Sequence, residues 1–187
     1  MGEQMRFVVY GRDDATFDFG PSDRHEAHQA YMDGWLPRLI ARGPTLSPDG
    51  EQHTGSVHVV EVDSAETARE FAFAEPYARA GWYREISVLP MSPLVDGTMW
   101  DRPRPAAGQP SSFVRVSWPD RPVDDVRIAA SDWLFAGLLL GEDPGTSVGF
   151  AGSVDLAPAE AAQRLRASLP EDAEVEVHRW ERGGRRE

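Results

Sequence analysis

The sequence predicts an α+β protein made of two βαββαβ units in tandem, the second cut down, and three matches between its halves carry that expectation. Residues 39–50 (LIARGPTLSPDG) and 134–145 (LFAGLLLGEDPG) both run from an apolar stretch through a glycine into an acidic turn. Residues 55–71 (GSVHVVEVDSAETAREF) and 149–165 (GFAGSVDLAPAEAAQRL) share a short strand, a cap residue and an amphipathic helix. Each is followed by an alternating strand, 85–91 or 174–180. The opening strand 6–10 also has a counterpart in 113–118, but the spacing onward differs: Tyr10 to Gly43 is 33 positions and Trp118 to Gly137 only 19. The second unit is therefore expected to lack most of its first helix, and with it any equivalent of His25 and His28.

Residues 6–10 alternate and are β-rich, which predicts a strand, and residues 11–22 form a polar loop containing Asp13, Asp14, Phe17 and Phe19. A helix is expected from Ser22 or Asp23, both good N-caps, with Ala27, Tyr31, Trp35 and Leu39 as its core-facing stripe. Pro37 should interrupt its last turns and Gly43-Pro44 should end it. Residues 57–62 alternate as a strand, with 44–46 pairing to them as a hairpin. Ser64 caps a helix through Ala65, Ala68, Phe71 and Ala72, although Ser64-x-x-Thr67 falls short of a full capping box. Glu75-Pro76-Tyr77 breaks that helix, a short turn reaches Gly81, and a strand over 82–89 closes the unit.

That order is the ferredoxin-like arrangement, a four-stranded antiparallel sheet with both helices on one face. The uncovered face calls for a partner, and the repeat can supply it within the chain. The expected architecture is an intramolecular pseudo-dimer, packed sheet to sheet in the manner of a dimeric α/β-barrel. The predicted organisation is a first unit over 1–91, a proline-rich linker over 92–112 and a degenerate repeat over 113–187. Met99 and Trp100 are too apolar for a free tether and should pack on the sheet.

Composition narrows the function. With 187 residues, 41% of them apolar, and six tryptophans, the chain can bury a core. A formal charge of −12 argues against nucleic-acid or anionic-membrane partners, which require a basic patch. All 19 basic residues are arginine, so Schiff-base chemistry, a P-loop lysine and pyridoxal phosphate held as an imine are excluded. The absence of cysteine removes disulfides, thiolate metal sites and thiol nucleophiles. The N-terminal residues enter a strand without the basic and apolar regions of a signal peptide, and no stretch has the length to span a bilayer; a soluble cytoplasmic protein is the expectation.

Five histidines are available for chemistry. His25 and His28 lie three apart on the first helix beside Arg24, Glu26 and Tyr31, on neighbouring faces of one turn. Solvated helix surface, an acid–base role and metal ligation all remain open for them, and metal ligation is the weakest because no third ligand stands at a defined offset. His53, in the hairpin loop, His58, on a strand, and His178 read as surface or structurally satisfied. No metal and no cofactor is expected.

Arg24 to His28, Tyr31, Gly43-Pro44, Gly55-Ser56, Glu75-Pro76-Tyr77, Ala80-Gly81 and the closing Val88-Leu89-Pro90 together resemble the YciI-like (YCII-related) family over about residues 5–91. The resemblance implies a ferredoxin-like dimer whose cleft holds a histidine–aspartate pair proposed to be catalytic, with at least one member acting as a dehydrochlorinase on an aromatic substrate. Carried over by position, the histidine is His28, and the aspartate position holds Glu75. Glutamate is one methylene longer, so the site would shift by about one C–C bond, roughly 1.5 Å.

These readings lead to a cofactor-free lyase or isomerase in which His28 and Glu75 form an acid–base pair. Arg24, Tyr31, Tyr77 and Trp82 would bind an aromatic or polyketide-like substrate. The alternative is a non-catalytic ligand-binding or accessory protein of the same fold. The partner is expected to be a small molecule, and the chain a monomeric pseudo-dimer or a homodimer.

Overall fold

A computed structural model describes residues 4–17 and 22–184, so Phe19 lies outside the described residues. The chain forms two compact units, one running through Leu89 and rejoined by the tail from Arg182, the other spanning Pro90–Glu181.

Unit 1 runs β1 (Met5–Asp13), α1 (Ser22–Trp35), β2 (Leu39–Leu46), β3 (His53–Val62), α2 (Ala65–Ala74), α3 (Pro76–Arg79) and the first part of β4 (Tyr83–Pro93). β3 lies between β1 and β2, antiparallel to both, with Val8 opposite Val59 and Arg42 opposite His58, and β4 flanks β1. Phe7 and Val9, two apart on β1, pack with Val60 and Val62 against Met32, Ala68, Phe71 and Ala72 of the helices. Ser64 caps α2 by accepting from the Thr67 backbone N–H at 3.1 Å, and its hydroxyl also meets the Thr67 hydroxyl at 2.9 Å.

The first helix differs from its sequence reading. α1 buries His28 and Met32, while Ala27 is exposed and Tyr31 and Trp35 are half-buried, so the inward stripe is turned by one residue. It ends at Trp35 rather than Gly43: Pro37 sits in a 3-10 turn, Leu36–Arg38, and Leu39 already belongs to β2. Leu39, Ile40 and Ala41 are buried as strand residues, and Gly43-Pro44 lies within that strand. The three-residue apolar run Leu39-Ile40-Ala41 carries no period long enough to separate strand from helix.

Two glycines explain the tightness of the sheet. A Cβ on Gly55 would stand 2.4 Å from the Gly11 carbonyl oxygen, and one on Gly183 would stand 2.9 Å from Gly43 Cα. The second approach is fixed by Gly183 N–H donating to the Arg42 carbonyl at 2.8 Å, so the tail is hydrogen-bonded along β2.

Unit 2 runs β5 (Ser111–Pro122), β6 (Phe135–Leu140), β7 (Thr146–Val154), α4 (Pro158–Arg166) and β8 (Glu174–Trp180). β7 pairs with β5 and β6, β8 pairs with β5, and the end of β4 pairs with β6 through Met91–Leu139 and Pro93–Gly137, all antiparallel. Residues 92 and 93, expected in the linker, are thus strand; of the two residues expected to pack, Met99 is buried, as is Val95, but Trp100 is exposed. Between β5 and β6 stands only a 3-10 turn, Val123–Asp125, where unit 1 has α1. Trp133 joins Ala161 and Leu165 of α4 in one core cluster and meets Phe150 edge-on at 5.1 Å, so an indole takes up space beside α4 without a second helix.

Candidate functional site

Glu75 is placed by helix chemistry. It is the N-cap of α3, its extended backbone leading into Pro76 at the first helical position, and its carboxylate accepts from Tyr77 N–H at 3.0 Å (Oε2) and Ala78 N–H at 3.2 Å (Oε1). Oε2 also meets His28 Nδ1 at 2.9 Å, with the two side chains 9% and 3% exposed. The carboxylate only accepts, so Nδ1 carries a proton, and in the neutral imidazole Nε2 is the atom that holds the lone pair. The longer side chain at this position therefore still reaches the imidazole. His28 comes from the buried face of α1, Glu75 from the α2–α3 junction.

Around this couple stand aromatic rings. The Tyr77 ring stacks on His28 with centroids 4.1 Å apart and 2° between planes, and its hydroxyl meets His25 Nδ1 at 2.7 Å. Trp82 is buried, its ring 5.2 Å from that of Tyr77, and its backbone N–H donates to the Tyr77 carbonyl at 3.0 Å. Burial, followed by the charges of Glu75 and Asp13, pushes the Tyr77 phenol well above its ordinary range. Tyr83 is raised strongly for the same first reason, with Glu75 and Asp13 again adding to it, and its hydroxyl faces Glu75 and Ser56. Both phenols stay protonated through the neutral range.

A second imidazole–carboxylate couple, absent from the sequence reading, stands at the end of the β1–β3 pairing. His53 Nδ1 meets Asp13 Oδ2 at 2.6 Å, with both side chains more than nine-tenths buried. Phe17 stacks on the His53 ring at 4.5 Å and 6°, and presents its edge to Tyr77 at 5.5 Å and Trp82 at 5.1 Å. Its turn is held by Asp14, whose carboxylate accepts from both the N–H and the hydroxyl of Thr16; these bonds hold the carboxyl below its usual range. His58 is also buried rather than a surface residue, 5.9 Å from His28 and edge-on to Phe71. Burial, then repulsion from His28 when protonated, from Arg42 and from His53 when protonated, depresses its pKa well below the ordinary histidine value, so it remains neutral.

The predicted ligand-binding residues divide between two places. Tyr77 and Trp82 belong to the aromatic cluster at the couple. Arg24 and Tyr31 line an open groove of about 730 Å³ with Ala27, Pro76 and Arg79. The Arg24 guanidinium lies 5.0 Å from the Trp82 ring, while the Tyr31 hydroxyl donates to the Phe71 carbonyl at 3.1 Å. His178, on β8, is partly exposed beside Glu176. Among the described residues no group of three His, Asp or Glu is placed to hold a metal ion, and no helix is long and apolar enough to cross a membrane.

The YCII-related domain model matches residues 5–92. Protein YciI of Escherichia coli O6:H1 is 32% identical over 96 residues, 46% of this chain and 95% of that protein. Among solved structures, a 5-chloro-2-hydroxyhydroquinone dehydrochlorinase, TftG of Burkholderia phenoliruptrix AC1100 in complex with 2,5-dihydroxybenzoquinone, is 27% identical over 45% of this chain and 90% of its own, with a TM-score of 0.41. A mutant chlorite dismutase of Candidatus Nitrospira defluvii covers 95% of this chain and 90% of its own at 12% identity and a TM-score of 0.53, a likeness of fold alone. The fold is thus α+β with antiparallel pairing and has neighbours of the dimeric α/β-barrel type. The first unit, with its helix-1 histidine and its Glu-Pro-Tyr step, places the chain in the YCII-related family, homologous to YciI.

Proposed function

We propose that this chain is a small-molecule lyase or isomerase in which His28 is the general base and Glu75 its partner. The observation that carries the reading is the buried 2.9 Å contact between His28 Nδ1 and a Glu75 carboxylate already fixed by two backbone N–H groups. That carboxylate sets the tautomer and stabilises the imidazolium once it forms, while Nε2 carries the basic lone pair. In the lyase form, Nε2 takes a proton from a carbon of the substrate, the C–H electron pair becomes the new double bond, and the leaving group departs with its own bonding pair. In the isomerase form the same proton returns to a second carbon. Tyr77 and Trp82 offer π surface to a planar aromatic or polyketide-like substrate, and Arg24 stands over Trp82 to balance developing negative charge.

The test is chloride release from chlorinated hydroquinones, beginning with 5-chloro-2-hydroxyhydroquinone, by wild type and His28→Gln, alongside thermal-shift measurements with each compound. Turnover by wild type that falls about 10²-fold or more in His28→Gln supports the reading. Ligand-dependent stabilisation of both proteins without turnover would favour a non-catalytic ligand-binding role instead. Turnover unaffected by His28→Gln would overturn the assignment of the base.

A further inference from the structure

Asp13 poses a hydrogen-bonding problem that the rest of the site leaves open. Its side chain is only 8% exposed, and Oδ2 is satisfied by His53, but Oδ1 is sealed from solvent with no hydrogen-bond partner among the described residues. A buried carboxylate oxygen without a donor is costly, and a bound donor group would recover that cost. The surroundings suit such a group. Phe17 stacks on His53 and presents its edge to Tyr77, which stacks in turn on His28, so the two imidazole–carboxylate couples are joined by a continuous line of rings. Tyr77 and Tyr83 feel the charges of both Glu75 and Asp13, as they must if they stand between the two.

We propose that Asp13 and His53 form a hydroxyl-binding subsite in which Asp13 Oδ1 accepts a hydrogen bond from a neutral O–H group of the ligand. Asp13 is the acceptor. His53, held by Oδ2, fixes the plane of the carboxylate, and the Phe17 ring braces the imidazole. The ligand class is a planar molecule carrying an un-ionised hydroxyl, because an anionic oxygen would meet the carboxylate with like charge and no proton to share. The subsite rests on the reading that substrate binds beside the His28–Glu75 couple, but it requires no turnover by His28.

Phenol and anisole are the probes, titrated into the intact protein and followed by amide and histidine-ring NMR shifts. They share a ring and differ in the O–H, and apolar burial alone favours anisole. Wild type is expected to bind phenol about tenfold or more tightly than anisole, the worth of a hydrogen bond to a charged acceptor, with the His53 ring signals moving on phenol addition. Asp13→Ala should bring the two affinities within about twofold of each other, and Asp13→Asn should give an intermediate ratio. His28→Gln should keep the phenol preference, so a failure of the catalytic reading leaves this result intact. The subsite is overturned if wild type binds anisole as well as phenol or binds neither, if Asp13→Ala keeps the preference, or if His28→Gln abolishes it. The wild-type comparison stands even where a variant fails to fold.

Discussion

The imidazole of His28 lies parallel to the ring of Tyr77, 4.1 Å between centroids, while Glu75, two residues before Tyr77, takes its Nδ1–H at 2.9 Å. One short turn of chain thus supplies the ring that sets the imidazole's plane and the carboxylate that sets its tautomer. The same carboxylate caps the helix that holds Tyr77, so architecture and proposed chemistry are tied at one residue.

Substitutions at Glu75 should separate the two roles. Glu75→Ala removes the cap and leaves a buried Nδ1–H without an acceptor, for a loss of about 2–4 kcal/mol in denaturant unfolding. Glu75→Gln keeps an acceptor for the cap, and its loss should be about 1 kcal/mol, while on the proposed acid–base reading any turnover found for wild type falls about 10²-fold. Equal stability losses in the two variants would count against the cap.

His58 should make the protein acid-labile. Its folded pKa lies well below the ordinary value of 6.5, so below that pH the unfolded chain binds a proton that the folded chain refuses. Stability is therefore fully present above about pH 6.5 and falls as pH drops, by up to about 1.4 kcal/mol per pH unit until the folded pKa is reached. Urea unfolding from pH 7.5 to 5 should show a shallower slope in His58→Phe than in wild type.

The tyrosines give an alkaline signature. The chain has four, and burial raises Tyr31, Tyr77 and Tyr83 above the ordinary value of 10.0. Between pH 10 and the folded pKa values the unfolded chain gives up protons that the folded chain keeps, so stability declines as pH rises there. Absorbance at about 295 nm, the tyrosinate band, should show Tyr77 and Tyr83 ionising only on alkaline unfolding. Tyr83→Phe should reduce the loss.

Gly55→Ala should destabilise unit 1 by about 3 kcal/mol, at the upper end for an overpacked position. The added Cβ meets the Gly11 carbonyl oxygen at 2.4 Å and Thr45 Oγ1 at 2.9 Å, and a backbone oxygen cannot rotate away. A thermal melt unchanged from wild type would show that β1 can slide from β3.

Local pattern carried much of this fold. The alternation of residues 57–62, the Ser64 cap and the Glu-Pro-Tyr break all lie where short-range chemistry dictates, and the family resemblance set His28 against Glu75 across 47 positions. The end of α1 was not legible, because Leu39 to Arg42 is too short a run to declare its period, and only pairing with β3 makes it a strand. The His53–Asp13 couple was missed for a related reason. It depends on the register that puts Arg12 opposite Gly55 and carries the next residues together, and nothing near either residue announces it. Asp13 and His53 read as polar loop positions until the two strands meet.

The strip of tail against β2 bears on the order in which the molecule can be completed. Gly183, bonded to the Arg42 carbonyl, leaves the ribosome only after the whole of unit 2 has been made, so unit 1 waits for its last hydrogen bonds until synthesis has passed through the other unit. Excision of the first 89 residues as a free-standing piece would leave the outer edge of β2 bare, an open strand inviting another chain.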